Sequence, residues 1–121
     1  MLNNLVMVGR LANEPEVKEL ENGKKLSNIT LAVPRNYKNE NGEYETDFFN
    51  ITLWGGIATN TSQYCHKGDI IGIKGRMKSN LNKDNQYVME IVPDKVTFLS
   101  SKKSIEASEV NKNAIDENVT I

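Results

Sequence analysis

Cysteine is almost missing from this chain. Cys65 is the only one in 121 residues, so no internal disulfide can form and a secreted, disulfide-stapled scaffold is excluded. Histidine is as scarce. His66 stands alone beside Cys65, and one pair of neighbouring ligands cannot build a zinc site without help that the spacing does not offer. Nor do adjacent residues usually face each other as a nucleophile and its base, so this pair reads as the surface end of a helix. Neither sign of charge prevails: 15 Lys and Arg against 16 Asp and Glu leave a net charge of -1. Composition therefore announces no polyanionic partner, although a local basic stripe can hide within a neutral average. No apolar run approaches the roughly 18–20 residues of a membrane helix, and the start, MLNNLVMVGRL, is too short for a secretion signal and lacks a basic n-region. A phosphate-cradling glycine loop is also lacking. The acids Glu40, Glu43, Glu45 and Asp47 are scattered along one stretch and do not form the convergent set a metal-dependent nuclease needs. The expectation is a soluble, cytoplasmic protein with no catalytic residue, no metal and no cofactor.

What is present is a series of short β-type runs separated by turn signals. A hydrophobic fraction of 38% suffices for one modest core. Leu5–Leu11 is the first run, with Gly9 marking a bulge or a close backbone approach. Asn22-Gly23 predicts a hairpin turn. Alternation over Ser27–Val33 puts Ile29, Leu31 and Val33 on one face, and Pro34 is expected to end the strand by removing a ladder donor. The polar stretch 35–46, with a second Asn-Gly pair at Asn41-Gly42, predicts a hairpin arm carrying Tyr37 and Tyr44 on its two legs. Phe48–Trp54 is the next strand, and 57–64 a short helix closed by Lys67-Gly68. Strands over 70–78 and 86–99 follow, joined by a turn at Asn82–Asn85. Five strands with one short helix between the third and fourth are the order of an all-β fold, the five-stranded Greek-key barrel of the OB-fold, although other small barrels also combine long antiparallel strands with one helix. Residues 1–100 form that domain. From 101 to 121 the apolar periodicity stops, which predicts a short disordered tail, with a marginal amphipathic helix as the competing reading.

The most informative residues are Phe48 to Trp54. Side chains alternate between the faces of a strand, so Phe49, Ile51 and Leu53 form a core face while Phe48 and Trp54 stand on a polar one beside Asn50 and Thr52. Flat rings on a polar face are suited to stacking with unpaired bases. The competing reading is that they cover a neighbouring hairpin or subunit. For Tyr37 and Tyr44, on an arm with no core, it is a cross-strand pair that stiffens the arm. Cations interleave with the rings. Arg35 and Lys38 flank Tyr37, and Lys74, Arg76 and Lys78 line one face of the fourth strand, where they suit a phosphate backbone. An ordinary solvated strand face is the alternative there.

Residues 1 to about 99 resemble the bacterial single-stranded DNA-binding protein family. The resemblance rests on ordered motifs: Leu2-Asn3 with Val8-Gly9-Arg10-Leu11, Pro15-Glu16-Val17-Lys18, Asn22-Gly23, Asn28 to Val33, Asp47-Phe48 through Trp54-Gly55, Tyr64 with Lys67-Gly68, and Gly75-Arg76-Met77. It implies an OB barrel that assembles as a homotetramer and wraps single strands without sequence preference in DNA replication, recombination or repair, associated with the nucleoid. Tyr37, Phe48 and Trp54 match three base-stacking positions of the family. Arg10, Lys18, Arg35, Arg76 and Lys78 fall where it often places phosphate-contacting cations. Two departures follow. After Met77 the chain reads Lys78-Ser79-Asn80-Leu81-Asn82, without the basic run and fourth aromatic of many members, which implies weaker binding or a shorter footprint. The end, Ile115 to Ile121, only faintly echoes the family's acidic tip and Pro-Phe terminus, so recruitment of replication or repair enzymes through the tail is not implied. Three other readings stay open at this level: an RNA-binding or primosome-type OB protein, a small nuclease subunit, and an oligomerisation module. Matched RNA and DNA competitors, a magnesium-dependent cleavage assay and a Trp54→Ala variant, respectively, separate them from the first.

Overall fold

The structure, a computed structural model, describes residues 1–100. The expected tail, 101–121, lies outside the described residues. In chain order the elements are β1 (Leu5–Leu11), β2 (Lys18–Glu19), β3 (Lys25–Lys38), β4 (Tyr44–Trp54), α1 (Gly55–Tyr64), β5 (Ile70–Leu81) and β6 (Tyr87–Ser100). β2 is a two-residue stub that the turn signals did not reveal. The other five strands and the helix follow the order read from the sequence.

All pairings are antiparallel, with neighbours in the order β2-β3-β1-β5-β6 and β4 paired to β3. β3 organises the barrel. It pairs with β2 and β1 on one edge and with β4 on the other. β4 lies against β6 without a shared ladder, which leaves the partly open barrel of an OB-fold. The inward faces of β1, β3, β4 and β5 supply the core, where Leu11, Ile29, Leu31, Ile51, Leu53, Ile71 and Ile73 are sealed from solvent. α1 is short and has no side-chain cap at Trp54, so little holds it locally. It is kept in place by burying Ala58 and Thr61 against the sheet.

Two prolines sit inside strands, contrary to the expectation that Pro34 ends one. β3 runs four residues past Pro34, and its register with β4 shifts between Pro34 and Lys38. A bulge tolerates a missing N–H where a regular ladder does not. Pro93 lies at a second shift, opposite Gly75. A Cβ on Gly75 would fall 2.1 Å from the Val92 carbonyl oxygen, and one on Gly9 would fall 2.6 Å from that of Ala32. Both glycines are places where two backbones press together. At Gly9 this is the close approach expected, and its pairing with β5 shows no bulge.

The helix stops at Tyr64, three residues before Lys67, because Cys65 already has extended backbone and caps it. Cys65 also corrects the surface reading: it is buried, and that burial, with the Asp69 charge nearby, pushes its thiol pKa up to about 11. His66 is exposed as expected.

Candidate nucleic-acid interface

The register of β3 with its neighbours builds the outer face of the sheet as a set of rungs. Residues directly opposite in an antiparallel pair share a face. Trp54 lies opposite Leu26, and Leu26 lies opposite Lys18. Phe48 lies opposite Ala32, and Ala32 lies opposite Arg10. Each aromatic therefore ends a rung whose far side carries a cation. Phe48 is 65% exposed and Trp54 47% exposed, while their odd-numbered neighbours Ile51 and Leu53 are sealed in the core and Phe49 packs against it. The two rings are six residues apart on one strand, about 20 Å along it.

Between the two aromatic rungs are two polar ones. Thr52 Oγ1 donates to Asn28 Oδ1 at 2.9 Å, and Thr30 Oγ1 donates to Asn50 Oδ1 at 3.0 Å. The rings thus flank an uncharged strip. Beside Trp54 a cleft of about 480 Å³ is lined by Gly23, Lys24, Lys25 and Gly55. These two lysines carried no signal in the sequence, because their nearness to Trp54 depends on the β3–β4 register.

Tyr37 and Tyr44 are both exposed on the projecting β3–β4 arm. Tyr44 shares the outer face of β4 with Phe48 and Trp54 by alternation, and Lys38 Nζ sits 5.7 Å from its ring centroid. The arm is held at its tip by Asn39, whose Oδ1 accepts from the Asn41 and Glu43 backbone N–H groups.

The predicted cations fare differently. Lys18 is exposed and has no side-chain partner among the described residues. Arg10 is on the face but donates from Nη1 to the Gly68 carbonyl oxygen at 2.6 Å. Arg35 is claimed by acids: Nη1 meets Glu45 at 2.6 Å, Nη2 meets Asp47 at 2.9 Å, and Nε reaches both Asp47 oxygens. Its guanidinium holds the Asp47 carboxyl below the ordinary carboxylate range. Two of the acids that looked scattered in the sequence thus converge on one arginine. Lys74, Arg76 and Lys78 are exposed on β5 as expected. β5 is separated from β4 by β3 and β1, so these three lie three strand steps from the aromatics, on the order of 14 Å across the sheet. Lys74 is opposite Val6 on β1, whose outer face also shows Val8.

Around His66 the geometry is an ion pair. His66 Nδ1 is 2.7 Å from Glu14 Oε1, and the Lys67 backbone N–H donates to Glu14 Oε2 at 2.9 Å. The Glu14 carboxyl is lowered first by that backbone hydrogen bond and then by His66, while His66 is raised by Glu14. Among the described residues no three His, Cys, Asp or Glu side chains gather as a metal site would require, and no helix is long and apolar enough to cross a membrane.

Residues 2–99 match the Single-strand binding protein family. Over 113 residues the chain is 37% identical to Single-stranded DNA-binding protein B of Bacillus subtilis, covering 90% of this chain and all of that protein. It is 39% identical over 119 residues to the Single-stranded DNA-binding protein of Streptococcus mutans, covering 94% of this chain and 72% of the relative. With Single-stranded DNA-binding protein 1 of Clostridium acetobutylicum it shares 36% identity over 107 residues, 84% of this chain and 97% of the relative.

Proposed function

The chain belongs to the single-strand binding protein family, and from that premise we propose that it binds single-stranded DNA by stacking and charge, without reading a defined sequence. The observation that carries this reading is the pair of rungs in which exposed Trp54 and Phe48 are each aligned across β3 with a cation, Lys18 and Arg10. Unpaired bases stack on Phe48 and Trp54, with Tyr37 and Tyr44 extending the platform along the arm. The phosphate backbone follows Lys18, Arg10 and the cleft lysines Lys24 and Lys25, then Lys74, Arg76 and Lys78 as the strand continues around the barrel. Arg35 joins only if a phosphate displaces a carboxylate from it. No bond is made or broken: the protein protects single strands and removes their secondary structure during replication, recombination or repair, in the cytoplasm and at the nucleoid. We further propose a homotetramer, supported by Val6 and Val8, which leave an apolar strip on the outer face of β1 at 71% and 44% exposure.

Fluorescence of the single tryptophan tests the reading. Oligo(dT) is expected to quench Trp54 emission at low salt, with affinity falling as salt rises. Phe48→Ala and Trp54→Ala should each weaken binding by about 1–3 kcal/mol, the worth of one stacked base. Emission unmoved across the whole titration, with no oligonucleotide bound, would overturn the proposal.

A further inference from the structure

The tight turn between β2 and β3 carries a chemistry that DNA binding does not use. It is closed by Leu20 N–H, which donates to the Lys24 carbonyl oxygen at 2.8 Å, and by Gly23 N–H, which donates to that of Leu20 at 2.9 Å. Asn22 stands exposed at the bend, immediately before Gly23, whose φ of +84° suits a residue without a side chain. The Asn22 carboxamide is folded over its own backbone, because Lys24 N–H donates to its Oδ1 at 3.0 Å. That bond spans residue 23 and so keeps the carboxamide carbon beside the Gly23 nitrogen, with no side chain on Gly23 to hinder their approach. The Lys24 N–H also faces the oxygen on which negative charge would build if that nitrogen attacked, as an oxyanion donor does. Gly23 N–H must first leave the Leu20 carbonyl, at small net cost on the surface, where water replaces the lost partner.

We propose that Asn22 is a site of spontaneous deamidation, and that its conversion loosens the hold of this face on single strands. The Gly23 nitrogen gives up its proton and bonds to Cγ of Asn22, closing a five-membered succinimide. The Cγ–Nδ2 bond breaks, and Nδ2 departs with that proton as ammonia. Water, the only co-reactant, then opens the ring at either carbonyl and leaves aspartate or isoaspartate. Both carry a carboxylate where a neutral amide stood. The place matters because Gly23 lines the cleft beside Trp54 together with Lys24 and Lys25. A new anion at its rim offsets one of these lysines and repels phosphate. Asn41-Gly42, the other such pair, lies at the far end of the β3–β4 ladder between Glu40 and Glu43, where one more acid cancels no cation of the cleft. The inference rests on the proposed binding of single strands to this face.

The test incubates the full chain in mildly alkaline buffer, which favours loss of the amide proton. Anion exchange separates the more acidic product, and peptide mapping by mass locates the change. Conversion is expected at Asn22. The converted protein should bind oligo(dT) more weakly at low salt, and its plot of log affinity against log salt should be shallower by about 0.7, one single-strand phosphate contact. Asn22→Asp should reproduce this without incubation. Asn22→Ser, which cannot close the ring, should keep the affinity of the fresh protein throughout. Thermal unfolding of each variant establishes that it is folded. The inference is overturned if Asn22 stays intact in the folded protein over a time that converts it in urea. It is equally overturned if the converted protein binds like the fresh one, or if the serine variant loses as much on incubation; the binding proposal then stands. Failure of the fresh protein to bind oligo(dT) overturns the binding proposal itself.

Discussion

Arg35 shows how a single residue's chemistry depends on its neighbours. As a cation beside Tyr37 it is well placed for phosphate, yet Glu45 and Asp47 close around it. Neutralising those acids should release it. Glu45→Gln/Asp47→Asn is expected to strengthen binding at low salt and to steepen the plot of log affinity against log salt by about 0.7, the increment for one further single-strand phosphate. Parallel slopes for variant and parent would show that Arg35 never meets the strand. Glu14 and His66 make a second local device. His66 is raised above its ordinary 6.5, so its contribution is complete below that value and is lost as pH rises through the raised pKa. Glu14 is lowered below 4.5, so its contribution is present above that value and lost as pH falls through the lowered pKa. The pair is thus intact between the two. Glu14→Gln should bring the His66 titration, followed by NMR, back toward 6.5. An unchanged titration would mean that Asp69, whose side chain accepts from the His66 backbone N–H, dominates instead.

Among the elements, β5 and β6 form the longest hairpin, and they bend where Gly75 meets Val92 and Pro93. The extra residue on β6 at this point re-aims the projecting end, as bulges do. Gly75→Ala puts a methyl group 2.1 Å from a carbonyl oxygen, and backbone cannot yield as a flexible side chain can. The expected loss is at least about 3 kcal/mol, at the upper end of overpacking costs, read from the urea midpoint. A midpoint within error of the parent would mean that the two strands separate there at little cost. The β3–β4 and β5–β6 arms use one device at their tips: Asn39 and Asn82 each accept from backbone N–H groups two and four residues on. The second arm manages its turn with Asn85 at positive φ in place of glycine, a conformation asparagine tolerates better than other non-glycine residues. Asn41-Gly42 was legible as a turn for that same local reason. The bulge after Pro34 was not, because a proline signals a lost donor without saying whether the strand stops or distorts.

At the scale of the whole molecule the barrel presents two unlike outer surfaces. One carries aromatic rings and cations across β2, β3, β4 and the Arg10 end of β1, and the other shows Val6 and Val8 farther along β1. If the second is where subunits meet, sedimentation should find a tetramer, and Val6→Glu/Val8→Glu should give a smaller particle whose far-ultraviolet spectrum is unchanged. A parent protein that sediments as a monomer at micromolar concentration would exclude that assembly. In a tetramer the β5 cations, adjacent to this strip through the Lys74–Val6 pairing, would lie near the subunit boundary. A strand passing from one aromatic face to the next would then cross them.

The amino-acid order alone determined which way the side chains of Phe48 to Trp54 point, where the hairpins turn and the order of the five long strands and the helix. Those are consequences of period-two alternation and of turn chemistry, which act over a few residues. Tertiary structure alone decided that Lys18 lines up with Trp54, that Arg10 lines up with Phe48, that Arg35 is taken by two carboxylates and that Cys65 is buried. Each depends on the register or packing of segments far apart in the chain. Slipping a strand by one residue sends every side chain to the opposite face, so only the fit of the complete core selects the register.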